Sequence, residues 1–125
     1  MTTLTKFATE GTYTPDALIA GNSALLVPRK VTLISGQNLT RGAVLGKITA
    51  SGKYTLSASA SSDGSQTPDV VLAEDCNASA GDASAIAYHR GDFIAQALTL
   101  GAGHTAASIT EGLRVKGITL VTAIA

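Results

Sequence analysis

Tryptophan is absent from this 125-residue chain, and only 4% of its residues are aromatic. The hydrophobic residues, 45% of the total, are therefore mostly Val, Leu, Ile and Ala, and any core must be built from these aliphatic side chains. The length corresponds to one domain, which would bury roughly two-thirds of the surface of the unfolded chain. We expect a single aliphatic core and no second domain.

The chain also lacks a second cysteine and a net charge. With Cys76 alone no intrachain disulfide can form, whereas a small secreted domain ordinarily relies on several. Nine basic and nine acidic side chains cancel, so no net field attracts a polyanion and no counterion release drives its binding. We therefore expect no nucleic-acid partner, and a compartment that is either reducing or without influence on the fold.

Long hydrophobic runs are missing as well. No apolar segment approaches the ~20 residues that a membrane-spanning helix needs. The start of the chain, from Met1 to Phe7, has no basic segment followed by an apolar one, so neither a signal peptide nor a transit peptide is expected. These absences predict a soluble protein that acts where it is made and has no membrane partner.

Residues 1–24 contain scattered apolar side chains without the period of a helix or a strand. We interpret this segment as an extended N-terminal arm that precedes a β-rich domain at residues 25–125. A pure linker would be more polar, so an arm with apolar residues is expected to become ordered on a partner.

Short β-branched and apolar segments, separated by turn residues, follow the arm. The alternation of Val31 and Leu33 with polar residues is typical of a half-buried strand. Residues 57–68 are small and polar and predict an exposed loop, and residues 77–82 predict a second loop. The predicted strands lie at residues 30–34, 43–49, 53–57, 70–75, 83–89, 92–100 and 118–124.

One short helix is predicted near residues 106–116, where Ile109 and Leu113 share a face. Thr105 or Ser108 is suited to cap its start, and the segment from Ser108 to Glu111 has the spacing of a capping box. Gly117 is suited to end the helix in the left-handed conformation. The expected fold is a compact, mostly β domain of the α+β class with one helix.

The sequence offers few groups for catalysis. Cys76 follows two acidic residues, which would raise the pKa of its thiol and make it a poorer nucleophile. His89 and His104 are the only histidines that could serve as its base, and no Gly-x-Ser-x-Gly elbow is present. We expect no catalytic residue, although a small hydrolase that uses Cys76 stays open as an alternative.

Cofactor and metal motifs are equally scarce. The two histidines are far apart, and no zinc or calcium spacing is present. The segment from Ser51 to Tyr54 resembles part of a phosphate-binding loop, but it lies between predicted strands instead of before a helix. The segment from Gly101 to His104 precedes the helix, yet no lysine or arginine lies beside it. We expect no metal, no cofactor and no small-molecule substrate.

The order of the segments is informative as a whole. The chain contains VTLISGQNLTRGAVLGKI at residues 31–48, VLAED at 71–75, a GDF turn at 91–93 and ALTL at 97–100. In this order they resemble the head decoration proteins of the phage lambda D type, and the similarity covers nearly the whole chain. Each segment alone is a glycine-punctuated strand that many β proteins contain.

The resemblance implies a structural protein without catalytic residues. It implies homotrimers at three-fold and quasi-three-fold positions on the outer surface of the expanded phage head, which they stabilise against the pressure of packaged DNA. The expected location is the virion, after assembly in the host cytoplasm. It also implies an N-terminal arm that contacts the major capsid protein. The candidate arm residues are Thr3, Leu4, Thr5, Phe7 and Tyr13.

Two other functions stay open at this point. A phage tail or fibre-associated structural module would share the β-rich composition, but it should also contain elongated repeats or a coiled-coil stem, and neither is visible in the sequence. A small ligand-binding β domain would share the fold class, although a fold alone specifies no ligand.

Overall fold

The computed structural model describes residues 18–21 and 25–122. Strands predominate in this part of the chain, and a 3-10 helix (Ala95–Ala97) and the α-helix α1 (Ala106–Val115) lie between the last two strands. This composition confirms the predicted mostly β fold class. In chain order the strands are β1 (Ile19–Gly21), β2 (Pro28–Leu33), β3 (Asn38–Leu39), β4 (Val44–Lys47), β5 (Tyr54–Leu56), β6 (Pro68–Leu72), β7 (Cys76–Asn77), β8 (Ala83–Tyr88), β9 (Gly91–Ile94) and β10 (Ile118–Val121).

Five strands form a closed barrel in the order β2-β5-β4-β6-β8. Strands β2 and β8 make its longest ladder, which is antiparallel and runs from Pro28 opposite Tyr88 to Leu33 opposite Ala83. In contrast, β2 and β5 are parallel and pair only at Leu33 and Tyr54. The barrel therefore closes through its shortest ladder, which consists of this single residue pair.

Strands β4 and β6 are buried on both faces. Leu45 and Val70 pair across the ladder and point into the barrel, whereas the neighbouring pair, Val44 and Val71, points out of it. Continuous apolar runs are typical of strands with two buried faces. The barrel interior contains Val31, Leu33, Ala43, Leu45, Tyr54, Val70, Leu72, Cys76, Ala78, Ala85 and Ala87.

A second hydrophobic cluster covers the outside of the barrel. The helix α1 contributes Ile109 and Leu113, which are buried against Phe93 of β9 and Ile118 of β10. Strand β9 is central in a three-stranded sheet, with β10 parallel to it on one side and β1 antiparallel on the other. The helix and this sheet thus bury the outward face of β4 and β6.

The ends of α1 follow from its sequence. The Thr105 hydroxyl accepts the Ser108 N–H at 3.1 Å, and the Ser108 hydroxyl oxygen accepts the Thr105 N–H at 3.0 Å. This reciprocal pair is a capping box, placed three residues earlier than the one predicted from Ser108 to Glu111. Gly117 has a φ of 94° and ends the helix as predicted. In the described ranges no helix has the length and apolarity that crossing a membrane requires.

Three sequence predictions differ from the structure. The predicted strand at 92–100 ends at Ile94, and the 3-10 helix follows. The predicted loop at 77–82 begins within β7, which pairs with β3. The loop at 57–68 lacks strands up to residue 67, as predicted, but Ser57 and Ser65 in it are fully buried, because its backbone folds back against β4.

Most of the predicted N-terminal arm lies outside the described residues, namely residues 1–17 and 22–24. The remaining part, residues 18–21, belongs to the folded structure. Leu18 is buried in the cluster around Phe93, and β1 lies at one edge of the three-stranded sheet.

Gly46 allows the 57–67 loop to pack against β4. A Cβ atom at this position would lie 2.7 Å from the Ser65 Cα and closer still to its carbonyl oxygen. We expect Gly46→Ala to lower the free energy of unfolding by about 1–3 kcal/mol, since backbone atoms would have to move. Urea unfolding measures this change, with Gly112→Ala as the matched control. A Cβ at Gly112 meets nothing within 4 Å, so that exchange in α1 should stabilise by about 1 kcal/mol. Equal effects of the two exchanges would contradict the prediction.

Candidate functional site

The candidate arm residues Thr3, Leu4, Thr5, Phe7 and Tyr13 all lie outside the described residues. The structure does describe how the chain enters the fold after them. The Leu18 side chain is buried, and its carbonyl oxygen accepts the Ile94 N–H at 2.7 Å. Leu18 is therefore bonded directly to β9 and immediately precedes the edge strand β1.

Large apolar side chains are exposed at three places in the described chain. Val115, at the end of α1, is 84% exposed, Leu25 is 54% exposed and Val121, at the end of β10, is 39% exposed. Single exposed apolar residues are common on protein surfaces. On the described surface these three side chains are candidates for apolar contacts with a partner protein. The sequence alone did not indicate any of them.

Ser57 and His104 form the arrangement that most resembles a catalytic pair. The His104 Nε2 lies 3.1 Å from the Ser57 Oγ and 3.1 Å from the Gln66 carbonyl oxygen. A carbonyl oxygen only accepts hydrogen bonds, so Nε2 carries a hydrogen and cannot take a proton from Ser57. The Ser57 hydroxyl donates instead to the Ser65 carbonyl oxygen at 2.7 Å. The pair fastens the 57–67 loop to the segment before α1.

Asp63 organises the same loop. Its carboxylate accepts the Ser65 hydroxyl at 2.5 Å and the Ser65 N–H at 3.0 Å. These hydrogen bonds, that of the hydroxyl first, lower the pKa of Asp63 below its ordinary value. The carboxylate thus accepts local hydrogen bonds that hold the turn.

Cys76 has the environment that its sequence predicts. It is buried in the barrel cluster, and its thiol lies 3.7 Å from the Ser84 carbonyl oxygen. Burial, followed by the negative charge of Glu74, raises the pKa of the thiol above its ordinary value. Neither histidine is a hydrogen-bond partner of this thiol. The geometry therefore favours the structural interpretation of Cys76.

The two glycine-containing segments that were considered as anion-binding loops, at residues 51–54 and 101–104, have structural roles in the fold. Residues 51 and 52 lie in the connection between the antiparallel strands β4 and β5, so the predicted hairpin is confirmed in place of a phosphate-binding loop. Gly101 lies so close to the Ser57 carbonyl that a Cβ there would overlap it. Within residues 18–21 and 25–122, no group of three or more His, Cys, Asp or Glu side chains is placed to hold a metal ion.

Cations are distributed unevenly over the surface. Lys53 pairs with Asp82 at 2.6 Å, and Lys116 pairs with Asp69 at 2.9 Å. Asp69 also accepts the Tyr54 hydroxyl at 3.2 Å; burial first, and then this carboxylate, raise the pKa of Tyr54 to about 12. The cations that line one groove of about 470 Å³ have no ion pair within the described chain. They are Arg29, Lys30 and Lys47.

This groove was not identified from the sequence. Its lining comes from β2, from the hairpin of β4 and β5, and from His89, the residue after β8. The adjacent cations Arg29 and Lys30, in a chain with few charged residues, were a signal that could have indicated it. Their closeness to Lys47 depends on barrel closure, which no local pattern reveals.

We expect Ser57→Ala to lower the free energy of unfolding by about 1–3 kcal/mol, because the buried Ser65 carbonyl would lose its hydroxyl donor. Thermal or urea unfolding tests this. Ser62→Ala is the matched control, since Ser62 is exposed in the same loop, and it should change stability by less than about 0.5 kcal/mol. A neutral Ser57→Ala exchange would show that the hydrogen bond does not hold the loop.

A protein-family model described as bacteriophage lambda head decoration protein D matches residues 7–118. The match includes every strand of the barrel, as well as β9 and α1. No curated protein sequence matches the chain. The family consists of structural components of the phage capsid and is not an enzyme family. The resemblance found in the sequence is thereby confirmed, and the chain belongs to the bacteriophage lambda head decoration protein D family.

Proposed function

We propose that this protein binds as homotrimers to the outer surface of the expanded phage head, at three-fold and quasi-three-fold positions, and stabilises the head against the pressure of packaged DNA. The observation that carries the proposal is the family match over residues 7–118. The major capsid protein is the proposed partner. The protein would meet it in the host cytoplasm during assembly and remain in the virion.

Residues 1–24 are the proposed capsid-binding arm, with its contacts at Thr3, Leu4, Thr5, Phe7 and Tyr13. The 17 residues before Leu18 would span at most about 60 Å if fully extended. An extended arm can pair its backbone with an exposed capsid strand while alternate side chains such as Leu4 and Phe7 set the register. The attachment of Leu18 to β9 supports this arrangement, because a load on the arm reaches the sheet directly.

Trimerisation would make weak arm contacts sufficient. When one arm binds, the effective concentration of the other two rises, which often increases apparent affinity by ~10² to 10⁴. A closed trimer with head-to-tail contacts needs two different, complementary patches on each subunit. The exposed Val115 and Val121 are candidate contact residues, because their burial between subunits would be favourable.

The bound trimer would stabilise the phage head by linking neighbouring capsid subunits. A trimer seated where capsid subunits meet, with each arm on a different neighbour, resists the separation of those neighbours. The barrel is suited to this task, since its interior is filled by side chains and it closes on itself. The same filled interior gives little support to a small ligand-binding domain.

Deletion of residues 2–14 should abolish head binding, because it removes the candidate arm residues and leaves Leu18 and β1 intact. Purified protein is mixed with expanded, undecorated heads and sedimented, and the bound copies are counted. The full chain should saturate near one copy per capsid subunit. Ser62→Ala, at an exposed position outside the arm and the candidate subunit contacts, serves as the control and should bind like the full chain. Unchanged binding of the deletion variant, with its thermal unfolding preserved, would rule out the arm as the attachment site.

Expanded heads should bind the protein more tightly than precursor heads, because the two shells present different spacing to the three arms. Co-sedimentation against both shells over a concentration series measures the ratio of apparent affinities. The arm-deleted variant provides the background for each shell. Equal binding to both shells would remove the selectivity for the expanded head while leaving attachment itself untouched.

A further inference from the structure

Among the residues that the structure describes, one edge of β2 has no partner strand over most of its length. Opposite β8 the strand is paired at every residue from Pro28 to Leu33, whereas β5 pairs only with Leu33. Within the described chain, no strand lies beside residues 28–32 on this second side. The free edge faces the groove that contains Arg29, Lys30 and Lys47.

The register shows which backbone groups are free. The His89 N–H donates to the Val27 carbonyl oxygen at 2.8 Å, so residues 29, 31 and 33 bond to β8 in the same antiparallel alternation. The intervening residues point to the other side, and there the Ile34 N–H donates to the Tyr54 carbonyl oxygen at 2.9 Å. The N–H and C=O groups of Lys30 and the N–H of Thr32 therefore point toward the groove without a strand partner in the described chain, whereas the Thr32 C=O accepts the Tyr54 N–H in the parallel pair of Leu33 with Tyr54. Pro28 fits the same side, because it has no N–H to donate.

The side chains around this edge carry one sign of charge. Arg29, Lys30 and Lys47 line the groove together with His89, and no carboxylate is among its lining residues. Three acidic groups near the groove have other partners or positions. Asp69 accepts the Tyr54 hydroxyl and pairs with Lys116, and it lines a separate depression to which Lys47 also contributes. Asp82 is paired with Lys53, and Glu74 flanks Lys30 in a separate, smaller depression. A ligand with carboxylates would thus meet three cations that form no ion pair within the described chain.

The dimensions of the groove suit a short extended peptide. The volume that one residue of an added strand fills is set by a rise of about 3.3 Å along the strand, a spacing of about 4.8 Å between strands and a layer thickness of about 10 Å. The 470 Å³ of the groove therefore corresponds to about three residues. The free edge from Lys30 to Thr32 has the same length.

We propose that the β2 edge binds an extended acidic peptide segment of a partner protein, which adds a strand beside Lys30 and Thr32 and directs its carboxylates to Arg29 and Lys47. This goes beyond attachment through the arm and does not depend on it. A peptide fits better than a nucleic acid, because the free N–H and C=O groups alternate with the repeat of a peptide backbone.

The test uses the full-length protein and a short fluorescein-labelled peptide of alternating Glu and Val, followed by fluorescence anisotropy. Binding should fall at least about tenfold when Lys replaces Glu in the peptide, since the charges would then repel. It should fall by a similar factor when alternate peptide nitrogens on the β2-facing side are methylated, because backbone donors are lost.

Two protein variants separate charge from strand addition. Thr32→Pro removes an N–H that β8 does not use and should abolish the difference between plain and methylated peptide. Arg29→Glu should weaken binding at least about tenfold, whereas Arg114→Glu, the same charge change on α1, should not. If Thr32→Pro does not fold, the methylated peptide decides the question with the unaltered protein.

Three outcomes would overturn the proposal. Equal binding of methylated and plain peptides would exclude strand addition, and so would full binding to Thr32→Pro. Equal weakening by Arg29→Glu and Arg114→Glu would show a non-specific charge effect. Tighter binding of a single-stranded oligonucleotide than of the acidic peptide would identify the groove as a polyphosphate site. All of these can be measured without phage heads, so failure here is distinguishable from failure of capsid attachment.

Discussion

The ladder between β4 and β6 carries apolar side chains on both faces, and both hydrophobic clusters depend on it. Leu45 and Val70 complete the barrel interior, while Val44 and Val71 form the floor on which α1 and the three-stranded sheet rest. A polar residue at any of these four positions would lose its hydration without gaining a partner. The barrel and the sheet are therefore parts of one packed unit and cannot move independently.

Polar side chains stabilise the 57–67 loop, which the aliphatic core does not include. The 57–67 loop contributes no large apolar side chain, yet it is fixed by Ser57, Asp63 and His104 and by close backbone contacts at Gly46 and Gly101. Buried polar groups of this kind are tolerated because each has a partner. The arrangement resembles a serine–histidine pair only in its residue types, because its hydrogen-bond partners are backbone carbonyl groups of the loop.

Much of the fold could be predicted from local pattern. The alternation in β2, the two faces of α1, Thr105 as the cap and Gly117 as the stop are all encoded by neighbouring residues. The 3-10 helix at residues 95–97 was missed, because its small and apolar residues also suit a strand. The buried loop was missed because the space it fills is created by Gly46, far from it in the chain.

The cationic groove also could not be predicted from local sequence patterns. Arg29 and Lys30 are neighbours in sequence, but Lys47 joins them only after the barrel has closed through a single residue pair between β2 and β5. Parallel pairing of distant strands leaves no local signature. The candidate arm stays a prediction from composition and resemblance, whereas the charged edge became visible only in the register of the backbone.

Strand β9 has the beginning of the described chain on one side and its end on the other, since β1 and β10 are its two neighbours. Leu18 and Ile118 consequently share one cluster, although a hundred residues separate them. Such distant contacts must overcome a large loop-closure entropy before they contribute stability, which slows folding. During synthesis this cluster cannot close until β10 has left the ribosome, so the packing around Phe93 is completed late in folding.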